Sequence, residues 1–341
     1  MSRVTSALSY LCKQLFIDNK KATSGFFHEK KLIIQNISSD ACHLNLKNMA
    51  MACLIMHKTK IDNEDGDVSV VFSILPLEIK NFILMASKKH NIPPVGSLEL
   101  FFFKNYYMDL NVIHPIYSWV ESEYTSYFND FFRIPILIEH YASDVYSHID
   151  NQLNDHLVFL NSLLKTIDQV RDLFKDVKIQ SQKAISVFHE KIQPFMTWGG
   201  GFNGDNNIYI GASGTMSPFF NVLHEFFGIE SSSLMQCMLI KSRGYMTKND
   251  RERIHLAREY GREIRTGLKG TFGIEQYNLC VKTFYSLRQL HTKIAVKTVK
   301  KADDRYASTG MTTRIDNYHQ TLDAFKQLNL DTRDSRFSEE K

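Results

Sequence analysis

Cysteine is scarce in this sequence, and the few cysteines follow no recognisable framework. The 341 residues include five, namely Cys12, Cys42, Cys53, Cys237 and Cys280. An odd number of scattered thiols without a CxxC pair argues against a disulfide scaffold and against a thiolate zinc site. Such thiols suit a reducing compartment, so we expect a cytoplasmic protein.

Long apolar runs and a charge of one sign are also missing. The run at 68–77 is too short to cross a bilayer. Lys13 lies within the longest apolar run of the first 16 residues, which predicts an amphipathic helix there rather than a signal peptide. The balance of 41 basic and 37 acidic side chains does not favour nucleic acid. We therefore expect neither a membrane nor a nucleic acid as partner.

Aromatic residues, in contrast, are plentiful, with 24 Phe, 15 Tyr and 2 Trp making 12% of the chain. They indicate either a densely packed core or a roomy apolar pocket for a flat ligand.

The spacing of apolar residues predicts a mainly α protein. Short apolar runs at 31–36 and 68–77 are compatible with strands, and Pro135 is expected to interrupt a nearly continuous helical region. The segments with helical spacing are 44–58, 77–90, 120–195, 249–265 and 273–301. The expected organisation is a smaller, mostly helical N-terminal domain or cap at 1–120, a large helical bundle at 121–330 and a disordered tail at 331–341.

His291 stands out because it lies on the apolar stripe of a predicted helix. Steps of three and four residues from it reach Leu287, Phe284 and Ile294. A buried imidazole needs a hydrogen bond, a charge or a metal on a ring nitrogen. Both a core hydrogen bond and ligation remain open. Arg288, one turn earlier, is placed to meet an anion beside such a ligand, unless it is a surface residue.

Two loops rich in small residues precede helices. The first, GASGTMS at 211–217, lacks the GxxxxGK[ST] pattern and a βαβ context, so nucleotide binding is not favoured. It suits close approach to a ligand, with Ser213 as a hydrogen-bond donor. The second, ASTGMTT at 307–313, offers Thr309, Gly310 and Thr312, although Thr312 is equally suited to cap the next helix.

A rival metal site is suggested by polar residues that recur every four positions from His140 and Asp144 onward. Successive members of such a stripe lie about 6 Å apart along a helix axis, so three of them cannot converge on one ion. A di-iron bundle needs two ExxH motifs, and only Glu252 to His255 provides one. A solvated stripe is the favoured interpretation.

Four segments, in order, resemble motifs of the haem-dependent indoleamine and tryptophan dioxygenase superfamily, which includes a pyrrolnitrin-type branch that rearranges a chlorinated tryptophan. The segments are GASGTMSPFFNVLHEFFGI at 211–229, RGYMTKNDR at 243–251, CVKTFYSLRQLH at 280–291 and STGMT at 308–312. They are similar to a GGSAGQSS-type loop with its helix, to RxYMPPxHR, to CVxALxxLRxxH and to GTGGT. The resemblance implies a helical-bundle haem domain that holds haem b and uses O₂ as co-substrate.

The resemblance also implies roles for individual residues. His291 corresponds to the proximal iron ligand, and Arg288 to the partner of a haem propionate. His224 stands where relatives often carry an aspartate near that propionate.

On the substrate side, Ser213 and Gly214 correspond to the border of the distal pocket. Phe131, in FFRIPILIE, would lie over the substrate ring, and Pro135 replaces a serine. Thr309, Gly310 and Thr312 belong to the loop that closes on substrate. The family's carboxylate-clamping arginine is missing, and Lys191 is the nearest cation.

The expected function is oxidation of tryptophan or a related indole or aromatic amino acid by a monomer or homo-oligomer. Three alternatives remain. The chain is a biosynthetic monooxygenase or ring-rearranging haem enzyme, a non-catalytic haem-binding sensor, or a non-haem metalloenzyme that uses His140 and Asp144.

Overall fold

A computed structural model describes most of the chain. The described residues are 2–38, 40–63, 68–153, 155–176, 181–207, 209–230, 233–268, 271–299 and 315–336. Over these residues the protein is mainly helical, which confirms the predicted fold class.

The N-terminal third packs around one central helix, α4. Its residues from Asn48 to His57 are all buried, because this helix is apolar on nearly every face and is covered on all sides. The helices here are α1 Arg3–Cys12, α2 Ser24–Glu29, α3 Lys31–Ile34, α4 Leu46–Asp62, α5 Val68–Ile74 and α6 Leu77–His90, with π-helical turns at Lys13–Ile17 and Glu99–Phe103.

Both runs that were compatible with strands are helical, as α3 and α5, so a strand assignment there is wrong. Each run is too short for its apolar pattern to distinguish the two periods. The described sheet is instead an antiparallel hairpin of β1 Tyr106–Asp109 and β2 Val112–Pro115. Its turn residues, Leu110 and Asn111, have φ of 46° and 65°, as a tight two-residue hairpin turn requires.

The remaining helices form a bundle in which the long α15 packs along α9. They are α7 Thr125–Tyr141, α8 Ser143–Asn151, α9 His156–Lys175, α10 Gln182–Val187, α11 Gln193–Met196, α12 Pro218–Phe226, α13 Ser233–Arg243, α14 Lys248–Gly267, α15 Thr271–Val299 and α16 Ile315–Asp334. Short turns at Ser122–Tyr124, Phe188–Ile192 and Gly214–Met216 connect them.

Pro135 lies inside α7 and does not end it, contrary to the predicted interruption. The helix buries Phe128 and Phe132 before the proline and Ile136 and Ile138 after it. Packing on both sides of the proline therefore offsets the one backbone hydrogen bond that it removes.

Two hydrophobic clusters share α7. Phe132 and Ile136 belong to the cluster around α4, whereas Ile138 belongs to the cluster of α9, α12, α14 and α15. The first cluster also includes residues between 187 and 245. The division into domains at 1–120 and 121–330 stays a prediction.

The last helix continues beyond residue 331, where we expected a disordered tail. Thr332 is fully buried, and its hydroxyl donates to the carbonyl oxygen of Leu328 at 2.7 Å. The final turn of α16 is therefore part of the packed structure up to Asp334. Residues 337–341 lie outside the described part of the chain.

Of the helices in the described ranges, none by itself has the length and apolar composition of a membrane span. The pair α5 and α6 meets that criterion only together, across a bend of 118°.

The packing of α14 on α12 depends on Gly261. A Cβ atom at this position would lie 2.0 Å from the carbonyl oxygen of Phe226, which is backbone and cannot move aside without shifting α12. Gly267, in the same helix, can accommodate a Cβ atom, which would make an ordinary van der Waals contact with Cε1 of His156 at 3.5 Å.

We expect Gly261→Ala to lower the free energy of unfolding by about 2 kcal/mol, because the added methyl forces two helices apart. Gly267→Ala is the matched control and is expected to leave stability unchanged or slightly higher. Urea denaturation of both variants measures the difference. Equal stability of the two variants would contradict the close contact.

Candidate functional site

A cavity of about 300 Å³ lies inside the bundle, between α7, the turn at Phe188–Ile192, the loop at 212–217, and the facing helices α15 and α16. Its wall is mostly apolar, with Phe102, Phe131, Phe174, Phe188 and Phe220 among the lining residues. The abundant aromatic side chains thus contribute to a pocket as well as to the core.

His291 lines this cavity, on the wall formed by α15. The Phe174 ring meets it edge-on with centroids 5.5 Å apart, and the Phe220 ring is nearly parallel to it at 6.1 Å. Burial, and then the charge of Arg288, lower the pKa of His291 to about 4. The imidazole is therefore neutral at pH 7, the form that ligates a metal ion.

Arg288 lines the same wall one turn before His291. Its guanidinium carbon lies 4.5 Å from the centroid of the Phe284 ring, and its buried Nε has no hydrogen-bond partner in the described structure. Burial lowers the pKa of Arg288 to about 9, and Asp331 opposes that shift. A cation that is poorly solvated and incompletely paired is a site for an anion.

The lining of the cavity also includes Phe131 and Pro135 from α7, and Ser213 and Gly214 from the small-residue loop. The Ser213 hydroxyl accepts from the Thr215 N–H at 3.3 Å and so caps the short turn that follows. Thr215 is joined through its hydroxyl to that of Ser242 at 2.6 Å. Local capping and a contact with α13 therefore position the loop.

Glu139 ties α7 to the end of this loop. Its Oε1 accepts from the Ser217 hydroxyl at 2.9 Å and from the Phe219 N–H at 3.3 Å, and its Oε2 accepts from the Tyr146 hydroxyl. It thus serves as an N-terminal cap for α12, supplied by another helix. Burial raises the pKa of this carboxyl group to about 7, despite these three donors.

Other predicted site residues are not at the cavity wall. The ammonium group of Lys191 lies 3.1 Å from Oε1 of Glu121 and over the ring of Tyr124, while its neighbour Ile192 faces the cavity. Lys191 therefore does not line the cavity, and its role in substrate binding stays a prediction.

His224 is buried but does not line the cavity. Its Nδ1 lies 3.9 Å from Oε1 of Glu225. Thr309, Gly310 and Thr312 lie outside the described residues.

The rival metal site receives no support from geometry. His140 and Asp144 are both exposed. Within the described ranges, no three His, Cys, Asp or Glu side chains approach closely enough to hold one ion.

Several residues of the site escaped the sequence analysis. They include Asp130, Glu139, Phe220 and Asn221. Asn221 donates to the carbonyl oxygens of Thr215 and Ser217 and accepts from Nε of Arg243. Asp130 and Glu139 flank the mostly apolar segment FFRIPILI. An acidic residue at each end of this segment is the sequence feature that could have pointed to them.

Because Glu139 keeps its proton up to about pH 7 in the folded state, whereas an unfolded glutamate loses it near 4.5, its contribution to stability falls as pH rises between these values. We expect Glu139→Gln to remove this dependence. The stability of the variant relative to wild type should rise by up to about 3 kcal/mol from pH 5 to pH 8.

Urea denaturation at several pH values measures this change, with the exposed Glu190→Gln as control. A constant difference between Glu139→Gln and wild type across that range would refute the assignment.

Comparison with known proteins places these observations in a family. None of the curated proteins compared with the chain matches it. A family model described as indoleamine 2,3-dioxygenase matches residues 30–333, which include α7, the small-residue loop, and Arg288 and His291 of α15. The chain belongs to the indoleamine 2,3-dioxygenase family.

Proposed function

We propose that this protein is a haem-dependent oxygenase that uses O₂ to oxidise a small aromatic compound of the indole class. One observation carries the proposal. A neutral imidazole, His291, and an incompletely paired guanidinium, Arg288, lie one turn apart on one wall of an apolar cavity. The resident cofactor that needs both a neutral nitrogen ligand and a cation is haem b, with its iron and its propionates.

His291 would hold the iron through a ring nitrogen. Its low pKa keeps the lone pair free of a proton throughout the physiological range. Phe174 and Phe220 lie at its edge and face, and restrict rotation of the ring. The helix therefore presents the imidazole in one orientation toward the cavity.

Arg288 would pair with a propionate. Its Nε lacks a hydrogen-bond partner among the described residues. A bound carboxylate would supply that acceptor and offset the cost of burying the cation.

When bound, haem supplies the activation of O₂ that side chains do not provide. The chain's own task is to orient the substrate and to exclude water. Phe131 is suited to the first task, because its ring lines the cavity and is held by contacts with the tilted ring of Phe188 at 4.9 Å and the edge-on ring of Phe102 at 5.9 Å between centroids. The hydroxyl of Ser213, on the loop beside it, offers a hydrogen bond at the polar edge of the pocket.

Pro135 supports the alternative of monooxygenation or ring rearrangement within the same superfamily. It lines the cavity where the resembling motif carries a serine, so one hydroxyl is replaced by an apolar ring. A non-catalytic haem-binding sensor is the other alternative, since His291 and Arg288 would bind the cofactor equally well in a protein that does not turn over a substrate.

His291→Ala is expected to weaken haem binding by about 10-fold or more and to shift the Soret band of both ferric and ferrous protein, because the axial nitrogen is lost. The measurement is an absorption titration with haem. His291→Gly should regain the native band position when free imidazole is added, since the small cavity admits the missing ligand.

The matched control is His140→Ala, which removes an exposed histidine and should leave the spectrum unchanged. Spectra of His291→Ala identical to those of wild type in both oxidation states would reassign the ligand.

The number of oxygen atoms inserted separates the remaining alternatives. We expect the haem-loaded, reduced protein to convert an indole substrate under ¹⁸O₂ to a product with two labelled atoms, as measured by mass spectrometry. One labelled atom would indicate monooxygenation. Stable ligand binding without any product would indicate a sensor.

A further inference from the structure

Two buried polar side chains, Lys60 and His57, lie one turn apart on α4, the central helix of the N-terminal third. Lys60 is only 4% exposed, and His57 is fully buried. A lysine is seldom buried to this extent unless its ammonium group is bound by other polar groups. The partners of these two side chains therefore show what α4 stabilises.

The ammonium group of Lys60 binds the segment at 194–197. It donates to the carbonyl oxygens of Pro194, at 2.8 Å, and of Thr197, and its Nζ lies 3.4 Å from the Thr197 hydroxyl oxygen. The same Nζ lies 5.9 Å from the centroid of the Trp198 ring. Burial lowers the pKa of Lys60 to about 7, whereas the three oxygen acceptors favour the charged form.

His57 binds the same segment between the two carbonyl groups that Lys60 contacts. Its Nδ1 donates to the carbonyl oxygen of Phe195 at 2.6 Å, and its Nε2 accepts from the Gly96 N–H at 3.3 Å. Burial keeps the pKa of His57 well below its usual value, so the ring is neutral. A neutral ring that accepts at Nε2 carries its proton on Nδ1, which is the tautomer that the bond to Phe195 requires.

These carbonyl groups belong to the C-terminal end of α11, a helix of only four residues at Gln193–Met196. The last carbonyl groups of a helix lack donors within the helix, and they attract a cation. A helix of one turn is also too short to be stable by itself. Lys60 and His57 thus supply from α4 the partners that α11 lacks.

Helix α11 is part of the cavity wall, through Met196. The carbonyl oxygen of Met196 accepts from the Ala212 N–H at 3.1 Å, and Ala212 also lines the cavity. The two segments approach closely, since a Cβ atom on Gly211 would lie 2.0 Å from that same carbonyl oxygen. Backbone contacts therefore run from Lys60 through α11 to the small-residue loop.

We propose that Lys60 is a positioning residue of the cavity. Its ammonium group fixes α11, and α11 in turn fixes the start of the small-residue loop through the bond between Met196 and Ala212. Lys60 itself is not among the lining residues. The N-terminal third thereby sets the shape of the pocket without contacting its contents. Only the use of indole as a probe rests on the proposed function.

Amide hydrogen exchange of the purified full-length chain tests this role directly. Lys60→Met keeps a side chain of similar length and removes the donors. We expect exchange at the amides of Thr197 and Ala212 to become about 10-fold or more faster, because charged hydrogen bonds to α11 are lost. Amides in α14 should exchange as in wild type. Lys58→Met is the matched control, since Lys58 pairs with Asp62 of the same helix, and should change neither amide.

Ligand binding supplies a second measurement. Haem-loaded protein is titrated with indole, and we expect Lys60→Ala to weaken the affinity by about 10-fold, since the wall loses its fixed position. Propylammonium corresponds to the deleted atoms from Cγ to Nζ and should restore the affinity of this variant. Propanol, which has the same chain length without the charge, should not. Lys60→Gln, a milder change, replaces either variant that does not fold.

The outcomes separate the role of Lys60 from the proposed function. Unchanged exchange at Thr197 and Ala212, an equal increase at all amides, or equal rescue by propanol and propylammonium would overturn the positioning role. Absence of a haem spectrum in wild type would overturn the proposed function, and the exchange measurement then decides the role of Lys60 by itself.

Discussion

The site depends on one constraint. Helix α15 must bury an apolar stripe, and this stripe also includes the basic side chains of Arg288 and His291. Packing of α15 along α9 removes Tyr277, Cys280, Phe284 and Leu287 from water. The same stripe carries Arg288 and His291 inward. Burial then lowers the pKa of both groups, which gives a neutral imidazole and an incompletely satisfied cation. Hydrophobic packing of α15 is thus the cause of the altered pKa values of Arg288 and His291.

The small-residue loop at 211–217 is held near α7 by polar contacts. Glu139 reaches from α7 to Ser217 and to the first N–H groups of α12, and Asn221 binds the carbonyl oxygens of the loop. A loop of small residues has few side chains with which to pack. Hydrogen bonds from neighbouring helices therefore take the place of packing and keep the loop close to the cavity.

Sequence reasoning succeeded where the signal was a long periodic pattern and failed where it was short or depended on distant partners. The helices around 44–58, 77–90 and 249–265 were predicted within a few residues. The runs at 31–36 and 68–77 were too short to distinguish helix from strand. Lys191 was proposed for substrate because it was the nearest cation in the sequence, and its ion pair with Glu121, which lies 70 residues away, could not be read from that local segment.

By itself, the amino-acid sequence determined the helical class, the inward face of α15 and the position of Arg288 one turn before His291. These features follow from a period of 3.6 residues within single helices. Only the tertiary structure decided that Asp130, Phe131, Ser213 and His291 surround one cavity. These residues lie on separate elements, which come into contact when their apolar stripes pack together. The sequence of a single helix does not show which other helix its stripe will pack against.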